Sequence, residues 1–253
     1  MRLLDAVSLP VVAFLLGTAA FAEPVTFSDT TFNAGDWNAL SGPARSPYIV
    51  AGNVTPTMSV TQSMVPGSPS LLVSIGHLPG SVTAAVVNNV WSYSPATSGR
   101  IDTIGFRVSE QWRDGVFDLP WRLLVVQNGR YYASKDYYRA LEQGGTMNQY
   151  EVFTATGLTS ESFYEQTSQS LVLDPFAHPV FDVTGSTMRF GWLLPTSTSL
   201  PGGYTWLSYF GEYSITLDGP ASVPEIDPAV TASVLAIVAG AFGLRERGRS
   251  GRV

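Results

Sequence analysis

The side chains that could carry chemistry in this sequence are few. Two histidines stand apart, in Ile75-Gly76-His77-Leu78-Pro79 and in Phe176-Ala177-His178-Pro179, and no GxSxG elbow accompanies either. They read as loop or strand-end residues satisfied by local hydrogen bonds. Neither GxGxxG nor GxxxxGK[ST] occurs, so nothing marks a phosphate-cradling loop. The absence of cysteine excludes Cys nucleophiles, disulfides and Cys-ligated zinc. Glycoside hydrolysis needs two carboxyl groups about 5 to 9.5 Å apart. Glu161 and Glu165 lie one helical turn apart, which suits a solvated face; Asp114 and Asp118 flank Gly115, which suits a turn. The oxygen-rich run Asp29, Asn33 and Asp36 offers ligand types that Ca²⁺ takes, but not at EF-hand spacing. Asx turns around Gly35 are the preferred reading, and no other cofactor is expected.

Aromatic residues are the remaining chemical resource, at 12% of the chain. Exposed rings stack on the apolar faces of sugars, whereas buried ones fill a sandwich core. In Tyr131-Tyr132 and Tyr137-Tyr138, neighbours on a strand point to opposite faces, so one ring of each pair is expected outside. These four tyrosines are the candidate glycan-facing residues, with core packing the commoner role for any single ring.

The elements that must position these groups alternate with period two. Ile104, Phe106 and Val108 form one such series; Met188, Phe190, Trp192 and Leu194 a second; Tyr213, Ile215 and Leu217 a third. Turn signals separate them at Pro66-Gly67, Pro79-Gly80, Gly144-Gly145, Gly185-Ser186 and Pro201-Gly202-Gly203. Asn128-Gly129, between Leu123 to Val126 and Tyr131 to Ala133, predicts a tight hairpin. One short helix is expected over Ser160 to Gln166, capped by Ser160. The chain therefore reads as all-β, an antiparallel double-sheet sandwich of the jelly-roll kind.

Its 253 residues carry a formal charge of −6, and only 13% of them are charged, against about 25% in an average soluble domain. Residues 23–222 hold nine basic against sixteen acidic residues. That balance argues against nucleic-acid binding, which needs a basic surface.

The two ends carry addresses. Residues 1–22 combine Arg2, an apolar stretch from Val7 and the small residues Ala20 and Ala22, a signal-peptide pattern that predicts cleavage before Glu23 by signal peptidase. At the other end, Val223-Pro224-Glu225-Ile226-Asp227-Pro228 precedes an uncharged span, residues 229–244, and a tail, residues 245–253, carrying Arg245, Arg247, Arg249 and Arg252. At about 1.5 Å per residue the span reaches about 24 Å, just short of a hydrocarbon core of about 30 Å. The arginines would stay in the cytoplasm, placing residues 23–222 outside the membrane.

This order of short motif, apolar span and Arg-rich end resembles the C-terminal sorting signal of PEP-CTERM proteins, in the VPEID form. The match is carried by Val223, Pro224 and Glu225, with Ile226 departing from the usual third residue. The resemblance implies a bacterial envelope protein, anchored at least transiently by its C-terminal helix and processed by an exosortase-like membrane enzyme. The phrases at 27–37, 99–106, 125–132 and 181–192 are similar to those of concanavalin A-like or laminin G-like sandwiches, which implies the fold and leaves activity open. The leading reading is an exported, non-enzymatic structural or adhesive protein. The alternative is a module binding envelope or extracellular polysaccharide, and a glycoside hydrolase ranks behind both.

Overall fold

Period-two patterning produces strands almost throughout the computed structural model, which describes residues 23–39, 49–51, 54, 56–65, 68–111, 119–140, 148–167 and 172–219. Fourteen strands follow in order: β1 Val25–Asp29, β2 Trp37–Ala39, β3 Ile49–Ala51, β4 Thr57–Val65, β5 Ser68–His77, β6 Gly80–Tyr93, β7 Thr103–Gln111, β8 Arg122–Gln127, β9 Arg130–Ser134, β10 Tyr150–Leu158, β11 Phe163–Gln166, β12 Leu173–Asp174, β13 Met188–Thr198 and β14 Tyr204–Asp218. One α-helical turn, Pro95–Ser98, and two 3₁₀ turns, Ala34–Asp36 and Ser160–Ser162, interrupt them among the described residues.

The strands form two antiparallel sheets. The six-stranded one runs β10-β7-β14-β5-β4. β14 is long enough to pair β5 with its first half and β1 with its second. The eight-stranded sheet runs β12-β11-β9-β8-β13-β6-β2, with β3 also on β6. Residues 23–219 form one compact unit. The result is an all-β, double-sheet sandwich, as the alternation predicts.

The inward positions of both sheets make the core. Ile104, Phe106 and Val108 of β7 meet Phe190, Trp192 and Leu194 of β13, and Tyr213, Ile215 and Leu217 of β14 join them. At its centre Trp192 stacks between Trp37, with centroids 4.5 Å apart, and Phe210, at 4.3 Å. A buried ring of about 200 Å² contributes about 5 kcal/mol of gross hydrophobic stabilisation, so this stack anchors the two sheets to each other.

Two backbone positions show why particular residues are required. Asn128 and Gly129 take φ of 53° and 72°, the paired positive angles of a type I′ turn, and close the β8–β9 hairpin where the sequence predicts it. Gly191 sits at an irregularity in the β13–β6 register, and a Cβ there would lie 1.9 Å from the Val86 carbonyl oxygen.

The helix expected over Ser160 to Gln166 is corrected. Only Ser160–Ser162 form a turn, a 3₁₀ one capped by Thr159, and Phe163 begins strand β11. Burial decides this: Phe163 is fully enclosed against Phe181, and pairing with β9 satisfies a backbone that a lone helical turn would leave open. No helix among the described residues is long and apolar enough to cross a membrane. The predicted span 229–244 lies outside them, as do the signal segment with Ala20 and Ala22, the motif 223–228 and the four tail arginines.

Candidate functional site

At one end of the sandwich, the turn after β5 and the turn before β14 meet because His77 stands opposite Tyr204 in the β5–β14 register. They border an open, shallow cleft of about 520 Å³ lined by Thr57, Gly76, His77, Leu78, Gly202, Gly203, Tyr204 and Thr205. Thr57, Gly76 and Thr205 lie opposite one another on three adjacent strands. The middle position has no side chain, and a Cβ on Gly76 would approach both threonine hydroxyl oxygens to 3.0 Å. Gly203 is required by a φ of 75° and by the His77 carbonyl oxygen, 2.6 Å from where its Cβ would stand.

The walls are chemically mixed and carry no Asp, Glu, Lys or Arg. Leu78 is 61% exposed and presents an aliphatic surface. Tyr204 packs edge-on against Trp206. His77 is committed to structure: Nδ1 donates to the Leu78 carbonyl at 2.7 Å, Nε2 lies 3.0 Å from Thr196 Oγ1, and the ring stacks on Trp206 at 4.8 Å. Two hydroxyls and one aliphatic face over a glycine floor suit an uncharged, hydroxyl-rich ligand, while the Tyr204 ring lies with Trp206 on the core face of β14.

The tyrosines singled out from the sequence lie elsewhere, along the β8–β9–β11 side of the eight-stranded sheet. Tyr132 is 7% exposed and belongs to the core. Tyr131 points to the opposite face, half-buried over Ala85, Val87, Leu124, Ala133 and Leu193. Tyr138 is half-buried and stacks on Trp121 at 4.7 Å, while Tyr137 is 50% exposed with the Arg122 guanidinium 5.7 Å above its ring. Lys135 sits similarly over Tyr164, whose ring also neighbours His178. The cations that cover Tyr137 and Tyr164 occupy ring faces that a sugar would need. Burial raises the Tyr132 and Tyr138 hydroxyl pKa values above the ordinary phenol range.

The carboxylates singled out from the sequence are committed elsewhere or lie outside the described residues, whereas Glu110 and Glu151 stand opposite each other in the β7–β10 register. Glu161 sits in the exposed 3₁₀ turn, and Glu165 is ion-paired to Arg130 at 2.9 Å. Asp114 and Asp118 fall outside the described residues. Asp29 is consumed locally: one oxygen accepts from the Thr31 and Phe32 amides, both at 2.8 Å, and the other from Trp37 Nε1 at 2.7 Å. Asn33 accepts from the Gly35 amide at 3.3 Å, the Asx-turn geometry. Among the described residues no group of three or more His, Asp or Glu side chains could hold a metal ion. His178 Nδ1 donates to the Phe163 carbonyl at 2.8 Å.

Sequence reasoning missed the cleft. The Pro79-Gly80 and Pro201-Gly202-Gly203 turns are legible, but nothing local says that they meet. It also missed Glu110, a fully buried carboxylate that accepts from Trp121 Nε1 at 2.9 Å and from Ser208 Oγ at 2.6 Å. The signal for it was present, since Glu110 continues the inward series of Ile104, Phe106 and Val108.

Neither a family model nor a curated relative matches the chain. Among solved structures it is similar to a family 11 carbohydrate-binding module from Clostridium thermocellum in complex with a β-1,3-1,4-mixed-linked tetrasaccharide. That pair shares 8% identity over 78% of this chain and 96% of that one, with a TM-score of 0.41. A xylan-binding domain from CBM 22 shares 14% identity over 80% and 98%, with a TM-score of 0.34. The mannan-recognising module TmCBM27 shares 9% over 78% and 99%, at 0.31. At such scores these likenesses carry no argument about the ligand.

Proposed function

We propose that residues 23–219 are a non-catalytic, saccharide-binding module of the jelly-roll kind, within an exported envelope or matrix protein that adheres through it. The observation that carries this reading is the uncharged cleft between the β5–β6 and β13–β14 turns. Its Thr57 and Thr205 hydroxyls stand either side of a bare glycine; Thr57 Oγ1 donates to the Gly76 carbonyl at 3.3 Å and keeps its lone pairs for sugar hydroxyls, and Thr205 can donate or accept. Leu78 supplies an apolar contact of the kind a pyranose face requires. A charged substrate would find no counter-charge among these walls.

Affinity electrophoresis of the full chain in gels containing mixed-linkage β-glucan, xylan or mannan tests the reading. Retardation by at least one of these neutral polysaccharides is expected, and Thr57→Val or Thr205→Val should abolish most of it. Migration unchanged in all three, or retardation that both variants retain, refutes it. Export, anchoring and exosortase-like processing belong to the same proposal, supported by the two terminal patterns. Terminal sequencing and intact mass of protein from the native envelope should show Glu23 first and an end near Pro224-Glu225. A product that retains Met1 or Val253 refutes cleavage at that end.

A further inference from the structure

Glycine within a strand is unfavourable unless a bulge, a positive φ, a neighbouring backbone or a bound molecule needs the space a side chain would fill. Gly76 lies within β5, and the first three reasons do not apply to it. The pairing register runs unbroken through Gly76 on both sides, to β14 and to β4. Its φ is not positive, so an L side chain is allowed there. Gly191 and Gly203 face backbone atoms 1.9 and 2.6 Å from where a Cβ would stand, whereas the nearest backbone atom to a Gly76 Cβ is the Tyr204 carbonyl oxygen, at 3.7 Å. What that Cβ would meet first are the Thr57 and Thr205 hydroxyl oxygens, both at 3.0 Å. The bare position therefore serves the space between two hydroxyls rather than the fold.

That space has the chemistry of a seat for one oxygen. Both hydroxyl oxygens lie 3.0 Å from the same point, so they stand at most twice that distance apart, and a single atom with O–H···O bonds of about 2.5 to 3.0 Å reaches both. Thr57 Oγ1 gives its proton to the Gly76 carbonyl at 3.3 Å, which leaves it lone pairs with which to accept. Thr205 is exposed, and its hydroxyl rotates to donate. A group seated here donates on one side and accepts on the other. A free hydroxyl does both, whereas an ether, ester, carboxylate or sulfate oxygen only accepts. Charge plays no part: residues 46–99, which supply β4 at the end of the six-stranded sheet and β5 beside it, contain no Asp, Glu, Lys or Arg. The exposed Leu78 side chain lines the same cleft and meets the carbon framework that carries the hydroxyl.

We infer that Gly76 is the specificity-determining position of this cleft, leaving a seat for one unsubstituted hydroxyl of a neutral saccharide that donates to Thr57 and accepts from Thr205. This rests on the saccharide reading of the cleft and adds which sugars it takes: those without O-acyl or O-alkyl decoration at the contact hydroxyl. Affinity electrophoresis of the full chain in mixed-linkage β-glucan, xylan and mannan, each also in chemically O-acetylated form, tests it. Gly76→Ala keeps both threonines and fills only the seat. It should weaken retardation about tenfold or more, the loss of one hydroxyl's two hydrogen bonds, while a thermal melt near the parent's shows that it folds. Thr61→Ala, on the same face of β4 but outside the cleft, should be retarded like the parent. Acetylating the polysaccharide that retards the parent should weaken retardation by a similar factor. A retarded parent with Gly76→Ala retarded equally, or with the acetylated polysaccharide equally effective, overturns this inference alone. A parent that none of the three plain polysaccharides retards overturns the saccharide reading and this inference with it. The acetylated arm uses the unaltered chain, so it decides the matter even where Gly76→Ala fails to fold.

Discussion

Removing the Ser208 hydroxyl should cost far more than its size suggests. Ser208 is fully buried on β14, where its Oγ donates to Glu110 Oε1 at 2.6 Å and accepts from the Leu119 amide at 2.8 Å. Trp121 Nε1 donates to the other oxygen of Glu110 at 2.9 Å, so one carboxylate ties β14 to the segment leading into β8. Ser208→Ala leaves no bulky void but strips a donor from a buried carboxylate and orphans a buried amide. The first loss is worth about 1.5 to 3 kcal/mol and the second about 1 to 3, giving about 2.5 to 6 kcal/mol together. For a domain near this size that lowers Tm by about 5 to 24 °C. Urea unfolding followed by tryptophan fluorescence should show a lower midpoint with an unchanged slope. Trp121→Phe should cost less, and the double variant less than the sum, because both changes act on the same carboxylate. A Ser208→Ala loss below about 0.5 kcal/mol, the range of an ordinary surface substitution, would refute the reading that this network ties β14 to the segment leading into β8.

Other outcomes are equally open to measurement. Gly191→Ala should prevent recovery of folded protein, because its Cβ would fall 1.9 Å from the Val86 carbonyl oxygen and 2.8 Å from Val87 Cα, both backbone atoms; a cooperative near-native melt would contradict this. Asp29→Ala should destabilise by about 2 to 3 kcal/mol by releasing Phe32 and Trp37 from their anchor, with Asp29→Asn intermediate, as read by thermal denaturation. Burial raises the Tyr213 hydroxyl pKa well above 10.0, so the folded state holds this proton more tightly than the unfolded one. Its contribution is complete below the ordinary phenol range and is lost as pH rises through about 10 and beyond, so Tm should fall there while the 295 nm absorbance of Tyr213 rises only with unfolding.

Period-two alternation and turn chemistry determined the class of fold, because a strand with one buried face leaves its mark in neighbouring residues. Ile104 to Val108, Met188 to Leu194 and the Asn128-Gly129 hairpin were legible for that reason. Alternation within Tyr131-Tyr132 also separated an outward from an inward ring, which is a local property of a strand. The Ser160 to Gln166 segment misled because its spacing of Glu161, Phe163 and Glu165 fits a helical turn and a strand alike. Only the partner strand β9 and the pocket around Phe163 decide between them. The cleft is wholly tertiary. Thr57, Gly76, Leu78, Tyr204 and Thr205 come from distant parts of the chain, and the pairing register that brings them together has no local signature. The same holds for β4: its sequence shows an uncharged strand, but sheet order alone makes it an edge.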